Sequence, residues 1–208
     1  MPSLSIIIPT PGQGRPLKRC LRSIASQPLL PGDEVLVVGD CLDDPHPDTG
    51  LADVRALVAD FGPQYKFLYT LPVEHDFGHT QINIGMHVAK GDYLVFQDDD
   101  DVFTEGAFGS IRNAAEEHPG RPLMFRFVTR FRTLVWGAHP VLAQDHVGGH
   151  CFVVPNQKEH LAPWSERYQG DWDFIRGTLD KWPGGDKAVV WREEVIALAR
   201  PNTPEHPE

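Results

Sequence analysis

Four short apolar runs, Leu4–Pro9, Glu34–Gly39, Lys66–Thr70 and Asp92–Gln97, are separated by stretches in which apolar residues return every three or four positions. Leu17, Cys20, Leu21 and Ile24 mark the first such stretch. Leu51, Val54, Leu57, Val58 and Phe61 mark the second, closed by Gly62-Pro63. Ile82, Met86 and Ala89 mark the third, ending at Gly91, and Glu105–His118 forms the fourth. Apolar runs without alternation are strands buried on both faces, and the intervening spacing is that of amphipathic helices. Repetition of this unit predicts an α/β fold with a central, mostly parallel, twisted sheet and helices on both faces. Ligands of such sheets gather beyond the carboxyl ends of the strands.

After residue 120 the pattern changes. Leu123–Thr133 alternates with period two, which places Phe125, Phe127 and Phe131 on one face and Arg126, Arg130 and Arg132 on the other. That stripe is either a phosphate-binding face or the solvated side of an amphipathic strand. Val141–Ala143, Cys151–Pro155 and Ala188–Trp191 read as short strands, and Gly170–Trp182 as a short helix. The chain of 208 residues suits one domain over residues 1–200, its first half (4–118) carrying the strand–helix units and its second half (119–200) the changed pattern. The polar, proline-rich segment 201–208 is expected to be a disordered tail. A net charge of −10 argues against a non-specific grip on nucleic acid. Cys20, Cys41 and Cys151 are too far apart to suggest a disulfide framework or zinc site. The start of the chain lacks a basic leader, and no run approaches the ~20 apolar residues of a membrane span. A cytoplasmic location is expected.

The polar residues at the strand ends carry the chemistry. The first strand ends at Pro9-Thr10, with Arg15 beyond it, the second at Asp40, and the fourth at Asp98-Asp99-Asp100-Asp101. Adjacent carboxylates repel and raise one another's pKa unless a cation relieves them. Hard oxygen donors of this kind suit Mg²⁺ or Mn²⁺, which bind through one or two carboxylates plus substrate phosphates. Convergence of these ends on one rim suggests a nucleotide site, with Asp40 at the base or ribose and the aspartate run at metal and pyrophosphate. Under strand alternation Asp98 and Asp100 project to one side, Asp99 and Asp101 to the other. Two Asp-x-Asp frames result, and spacing does not choose between them. His150, after Gly148-Gly149, is either a third metal ligand or structural. Trp164, Tyr168 and Trp172 are candidates for an exposed apolar platform or for core packing.

Several segments together resemble the family-two glycosyltransferases of GT-A fold. They are Ser5-Ile6-Ile7-Ile8-Pro9-Thr10, Arg15-Pro16-Leu17, Leu21-Arg22-Ser23-Ile24, and Glu34 to Asp40. The strongest are Asn83-Ile84-Gly85 and the run from Ala89-Lys90-Gly91-Asp92-Tyr93 to Asp101, similar to that family's Asn-x-Gly helix, Gly-Asp-Tyr strand and DxD metal site. Gly170-Asp171-Trp172 resembles the segment that supplies its catalytic base, usually Glu-Asp. The resemblance implies inverting transfer of a sugar from a nucleotide diphosphate donor, a UDP-sugar first among them, with Mn²⁺ or Mg²⁺.

It further implies a metal held by Asp98 and Asp100, with His150 as the added candidate, and Asp99 at the metal or the ribose. Asp171 is the first choice for general base and Asp173 the second. Pro9, Thr10, Arg15, Asp40, His79 and Asn83 are expected to line the donor site. The chain departs from the family pattern at Gly39, Ile82 and Gly170, where an acidic residue, an arginine and a glutamate are usual. Pyrophosphate neutralisation then falls to the metal, Arg15 or His79. The acceptor is unspecified: a glycan, a protein, a small molecule or, last, a DNA base. A sugar-phosphate nucleotidyltransferase and a non-catalytic nucleotide-sugar-binding protein are the alternatives.

Overall fold

β1 (Leu4–Thr10) is buried along its whole length, as Ile6-Ile7-Ile8 requires of a strand covered on both faces. Each such side chain contributes about 1.5–3 kcal/mol by leaving water. The computed structural model describes residues 1–11, 14–39, 51–70 and 76–201. Asp40, Cys41, Gly12-Gln13 and residues 202–208 of the expected tail lie outside them.

From β1 the chain continues through α1 (Gly14–Ala25), β2 (Glu34–Gly39), α2 (Leu51–Ala59), β3 (Tyr65–Tyr69), α3 (His79–Val88) and β4 (Tyr93–Phe96). Leu17, Cys20, Leu21 and Ile24 of α1 are fully buried, as their spacing predicts. Strands β1 to β4 pair in parallel in the order β3-β2-β1-β4. This half has the doubly covered parallel sheet read from the sequence.

The second half adds β5 (Val102–Phe103), α4 (Ala107–Glu117), β6 (Leu123–Val128), β7 (Leu134–Val135), β8 (Phe152–Pro155), α5 (Gly170–Lys181) and β9 (Val190–Leu198). The sheet continues as β4-β8-β6-β9-β5, with β7 on β6. Here β8 runs antiparallel to both β4 and β6, whereas β6 and β9 are parallel. The whole sheet is therefore mixed, and β8 fastens the two halves.

Three expectations for this half change. β6 stops at Val128, and Thr129–Thr133 form a turn closed by Thr129 N to Thr133 O (2.9 Å) and Arg132 N to Thr129 O (2.8 Å). Arg126, Arg130 and Arg132 thus share no strand face. Arg126 lies over Trp136 at 4.5 Å and Arg130 over Phe131 at 4.7 Å, while Arg132 adopts φ 59° inside the turn. Val141–Ala143 form no strand. The strand expected at Ala188–Trp191 begins only at Val190, after a 3₁₀ turn over Gly185–Ala188, and runs on to Leu198 through polar Arg192-Glu193-Glu194, paired with β6 across register shifts at Arg126.

The family-like motif Gly91-Asp92-Tyr93 works at the amino edge of the sheet. A Cβ on Gly91 would stand 2.6 Å from Ser5 N, so only glycine permits this approach to β1. Asp92 Oδ2 accepts Ser3 N and Ser3 Oγ, each at 2.8 Å, and Tyr93 Oη accepts Gly120 N at 3.0 Å. Other carboxylates at this edge are equally engaged. Asp33 accepts Leu4 N (2.8 Å) and Leu30 N (2.6 Å) and pairs with buried Arg112. Glu34 receives Ser5 Oγ (2.8 Å), Lys90 N and Lys66 Nζ (both 2.6 Å). Acidic groups at the amino edge are satisfied by protein donors. The opposite edge is built differently.

Candidate active site

β4 ends at Phe96, and Gln97 N makes the last bond to β1, donating to Ile7 O at 3.1 Å. The chain then makes a turn in which Asp101 N donates to Asp98 O at 3.2 Å. Asp is favoured in such turns, and a β-turn draws its first and fourth residues together. Asp98 therefore groups with Asp101, in place of the alternate pairing expected of an extended chain. His150, in the short 3₁₀ segment Gly149–Cys151, joins them. One ligand atom each from Asp98, Asp101 and His150 lies within 4.8 Å of the other two.

Asp99 and Asp100 face elsewhere. Thr10 Oγ1 donates to Asp99 Oδ2 at 2.5 Å, tying the end of β1 to the turn. Asp100 Oδ2 pairs with Arg200 Nε at 2.8 Å, and Arg19 Nη2 holds Asp100 O at 2.7 Å. Arg200 N also donates to Asp101 Oδ1 at 2.8 Å. Of the expected metal ligands, the structure brings Asp98 and His150 together and places Asp100 with Arg200.

The electrostatics of this cluster favour a cation. Burial, followed by the like charges of Asp98 and Asp100, drives Asp101 well above the carboxylate range. Burial also pushes Asp99 up to about 7, against the Thr10 hydrogen bond. Desolvation and then Asp100 push Asp98 up to about 6; because Asp98 keeps an open face to solvent, the like charge is the sturdier of the two causes. Burial lowers His150 to about 4, so its imidazole is neutral at physiological pH, the state in which it binds metal. His150 Nε2 is buried with no hydrogen-bond partner among the described residues, and its ring stands edge-on to Phe127 at 3.9 Å. A neutral imidazole whose Nδ1 stands 3.9 Å from Asp101 Oδ2, beyond hydrogen-bond reach, beside a second crowded carboxylate fits a divalent ion such as Mn²⁺ or Mg²⁺.

Asp171 lies at the start of α5, where acidic residues complement the helix dipole. Its Oδ1 accepts Trp172 N at 2.7 Å. Its Oδ2 looks across Gly148 towards His150: a Cβ on Gly148 would stand 3.5 Å from this oxygen and 3.4 Å from His150 Cε1. Desolvation, opposed by nearby backbone N–H groups and His79, raises the Asp171 pKa. Asp173 differs. It pairs in bidentate fashion with Arg167 and accepts Ser165 Oγ at 2.5 Å, which holds it at about 2. The structure thus gives Asp173 the task of tethering residues 165–167, and leaves an oxygen of Asp171 directed at the cluster.

The remaining donor-side candidates are spread around this rim. Pro9 is buried against Gly78, whose Cβ, if present, would lie 2.8 Å from Pro9 Cβ. Arg15 is exposed in the first turn of α1. His79 is buried, with its ring 5.4 Å from Trp164. Asn83 clamps the backbone of Trp164 from both ends of its amide, donating to O (3.0 Å) and accepting from N (2.9 Å). Gly85, its partner in the motif, allows α3 to seat on β1, since a Cβ there would come within 2.5 Å of Ile7 Cγ2. Trp164 is core and Trp172 packs partly against it, whereas Tyr168 is exposed.

Sequence reasoning misses Asp101, whose signal is the turn preference of a polar run. It also misses Arg200, which reaches the turn from far along the chain and leaves no local signal.

Taken with this fold, the sequence profile of glycosyl transferase family 2 matches residues 5–140, and the chain belongs to that family. The family match sets the nucleotidyltransferase reading aside. No curated protein matches the chain in sequence. Among solved structures it is similar to S. aureus TarS residues 1–349, at a TM-score of 0.69 and 17% identity, over 95% of this chain and 60% of that one. It is similar to the same stretch of TarS in complex with UDP (0.69, 16%, 95% and 60%) and with UDP-GlcNAc (0.68, 14%, 95% and 58%). The chain thus spans about three-fifths of those structures, and the likeness confirms the GT-A fold. No helix among the described residues is long and apolar enough to cross a membrane.

Proposed function

We propose that the protein transfers a sugar, with inversion, from a nucleotide diphosphate donor to an acceptor hydroxyl, and that Asp171 is the general base. The observation that carries this reading is the meeting of Asp98, Asp101 and His150, with Asp171 Oδ2 facing His150 across Gly148. The UDP and UDP-GlcNAc complexes of TarS support a UDP-sugar as donor.

Asp98, Asp101 and His150 would hold the divalent ion, which when bound stabilises negative charge on the departing diphosphate. The protein's own groups supply the rest. Asp171 takes the acceptor's hydroxyl proton as that oxygen bonds to the anomeric carbon. The bond from that carbon to the diphosphate breaks, and its electron pair leaves with the nucleoside diphosphate. Burial raises the Asp171 pKa, which makes it a better proton acceptor than an exposed aspartate. Thr10, through Asp99, fixes the floor on which the nucleotide would rest.

The test is thermal denaturation with UDP, GDP and dTDP, each with and without Mn²⁺, followed by UDP release from UDP-sugars. A nucleotide that binds the native state raises the melting temperature by mass action. A Mn²⁺-dependent shift with UDP, and UDP release abolished in Asp171→Asn, is the expected result. Absence of a metal-dependent shift with every nucleotide would sink the reading.

A further inference from the structure

Phe77 and Tyr168 are 64% and 76% exposed, yet their rings meet edge to face with centroids 5.5 Å apart. They come from different parts of the chain, one just before α3 and the other just before α5. Nothing in the core requires either ring to be there. Phe77 also has φ 63°, a left-handed conformation that a bulky residue adopts only when the surroundings impose it. The surroundings do so. Asp76 behind it accepts Thr80 N (2.7 Å) and Thr80 Oγ1 (2.6 Å), and Gly78 ahead of it is pressed on Pro9. On the other side, the bonds from Ser165 and Arg167 to Asp173 brace the segment that carries Tyr168, and Gly170 N closes it onto Arg167 O at 2.8 Å.

We propose that Phe77 and Tyr168 form the acceptor subsite, and that the acceptor is a saccharide whose pyranose ring packs on these two rings. The proposal rests on the glycosyl-transfer reading and names the substrate class of its second half. Continuity supports the placement. Phe77 stands 6.0 Å from the His79 ring, His79 lies directly on Gly170, and the next residue is Asp171. A ring seated on the pair is therefore on the His79–Gly170 side of the proposed base. Shape and polarity support the class. The pair is small, two rings with centroids 5.5 Å apart, and Tyr168 follows closely on Ser165, exposed Glu166 and the Arg167–Asp173 ion pair. A pyranose has an apolar C–H face and a polar hydroxyl edge, which matches aromatic rings set among charged groups. A lipid chain or protein partner needs a broader continuous apolar surface.

The test is saturation-transfer NMR on the full chain with UDP and Mn²⁺, using maltose, cellobiose and N,N′-diacetylchitobiose as probes. At least one probe is expected to receive saturation, strongest on the C–H protons of one ring face. The signal should fall at least fivefold in Tyr168→Ala and in Phe77→Gly, a substitution suited to the backbone at 77, and persist in Tyr168→Phe. Melting curves of each variant establish that it is folded. Saturation of none of the probes, or saturation untouched by these substitutions, overturns the proposal. So does sedimentation showing a dimer of this chain that dissolves in the same variants without any sugar binding. The thermal shift with UDP and Mn²⁺ reports separately on the donor reading, so the two ideas fail independently.

Discussion

The imidazole of His79 fills the space where a side chain at Gly170 would begin. A Cβ at 170 would stand 2.4 Å from His79 Cε1 and 2.5 Å from His79 Nδ1, with Ser165 O also at 2.5 Å. The position before the proposed base, usually a glutamate in this family's pattern, is glycine here because a ring from another helix already occupies it.

Gly170→Glu should therefore be harmful, although it restores the more common residue. Overpacking of this kind costs about 1–3 kcal/mol. Thermal melts are expected to show a lowered transition for Gly170→Glu and partial recovery in the double variant with His79→Ala. Equal melting temperatures for Gly170→Glu and the parent chain would contradict the packing argument.

Asp101, rather than Asp100, should control the response to metal. Asp101→Asn is expected to remove the stabilisation by UDP with Mn²⁺, whereas Asp100→Asn, which loses its pairing with Arg200, should keep most of it. Titration calorimetry with Mn²⁺ checks the order. The opposite ranking would return the site to the alternating frame of an extended strand.

Asp171 and Asp173 should separate in kinetics. General-base catalysis contributes about 10²–10⁴-fold, so Asp171→Asn should lose turnover on that scale. Asp173 is already tied to Arg167 and Ser165, and its ion pair is partly exposed, where such pairs contribute about 0–1 kcal/mol. Asp173→Asn is expected to act mainly through the acceptor KM. Similar losses in turnover for the two variants would mean that the tether has been misjudged.

Metal-free protein should become less stable as pH rises from about 5.5 to about 8. Asp98 and Asp99 titrate at about 6 and about 7 in the folded chain, whereas an unfolded aspartate titrates near roughly 3.9. Between these values the folded state binds more protons than the unfolded state, so stability falls as pH increases. Carboxylates with lowered pKa, such as Asp173 and Glu34, act in the opposite direction only at more acidic pH. His150, held at about 4 by burial, offsets part of the fall below its ordinary value near 6.5, so the decline is cleanest above that pH. Mn²⁺ should stabilise most at the alkaline end, where the repelling charges are fully developed. A metal-free melting temperature that climbs across this range would refute the account.

The parallel half is legible because a strand buried on both faces has few alternatives. Ile6-Ile7-Ile8 can only be central, and the spacing of Leu17, Cys20, Leu21 and Ile24 can only face it. The acidic turn is legible as a charge cluster but not in its pairing, since alternation stops at Gln97 and a turn joins Asp98 to Asp101. The arginines of β6 mislead for the same reason: period two persists in the letters after Val128, while the backbone has already turned. His79 over Gly170 and Arg200 on Asp100 have no local signature. Each is a meeting of segments far apart in the chain, specified by packing instead of by pattern.

The bond from Arg200 N to Asp101 Oδ1 joins positions 99 residues apart. During synthesis the acidic turn emerges long before residue 200, so its crowded charges wait for a partner that is not yet made. The early strands can assemble on their own hydrophobic faces, but this acidic corner is completed only when the later half docks. Assembly of the proposed centre is thus deferred until residues far along the chain have reached the acidic turn.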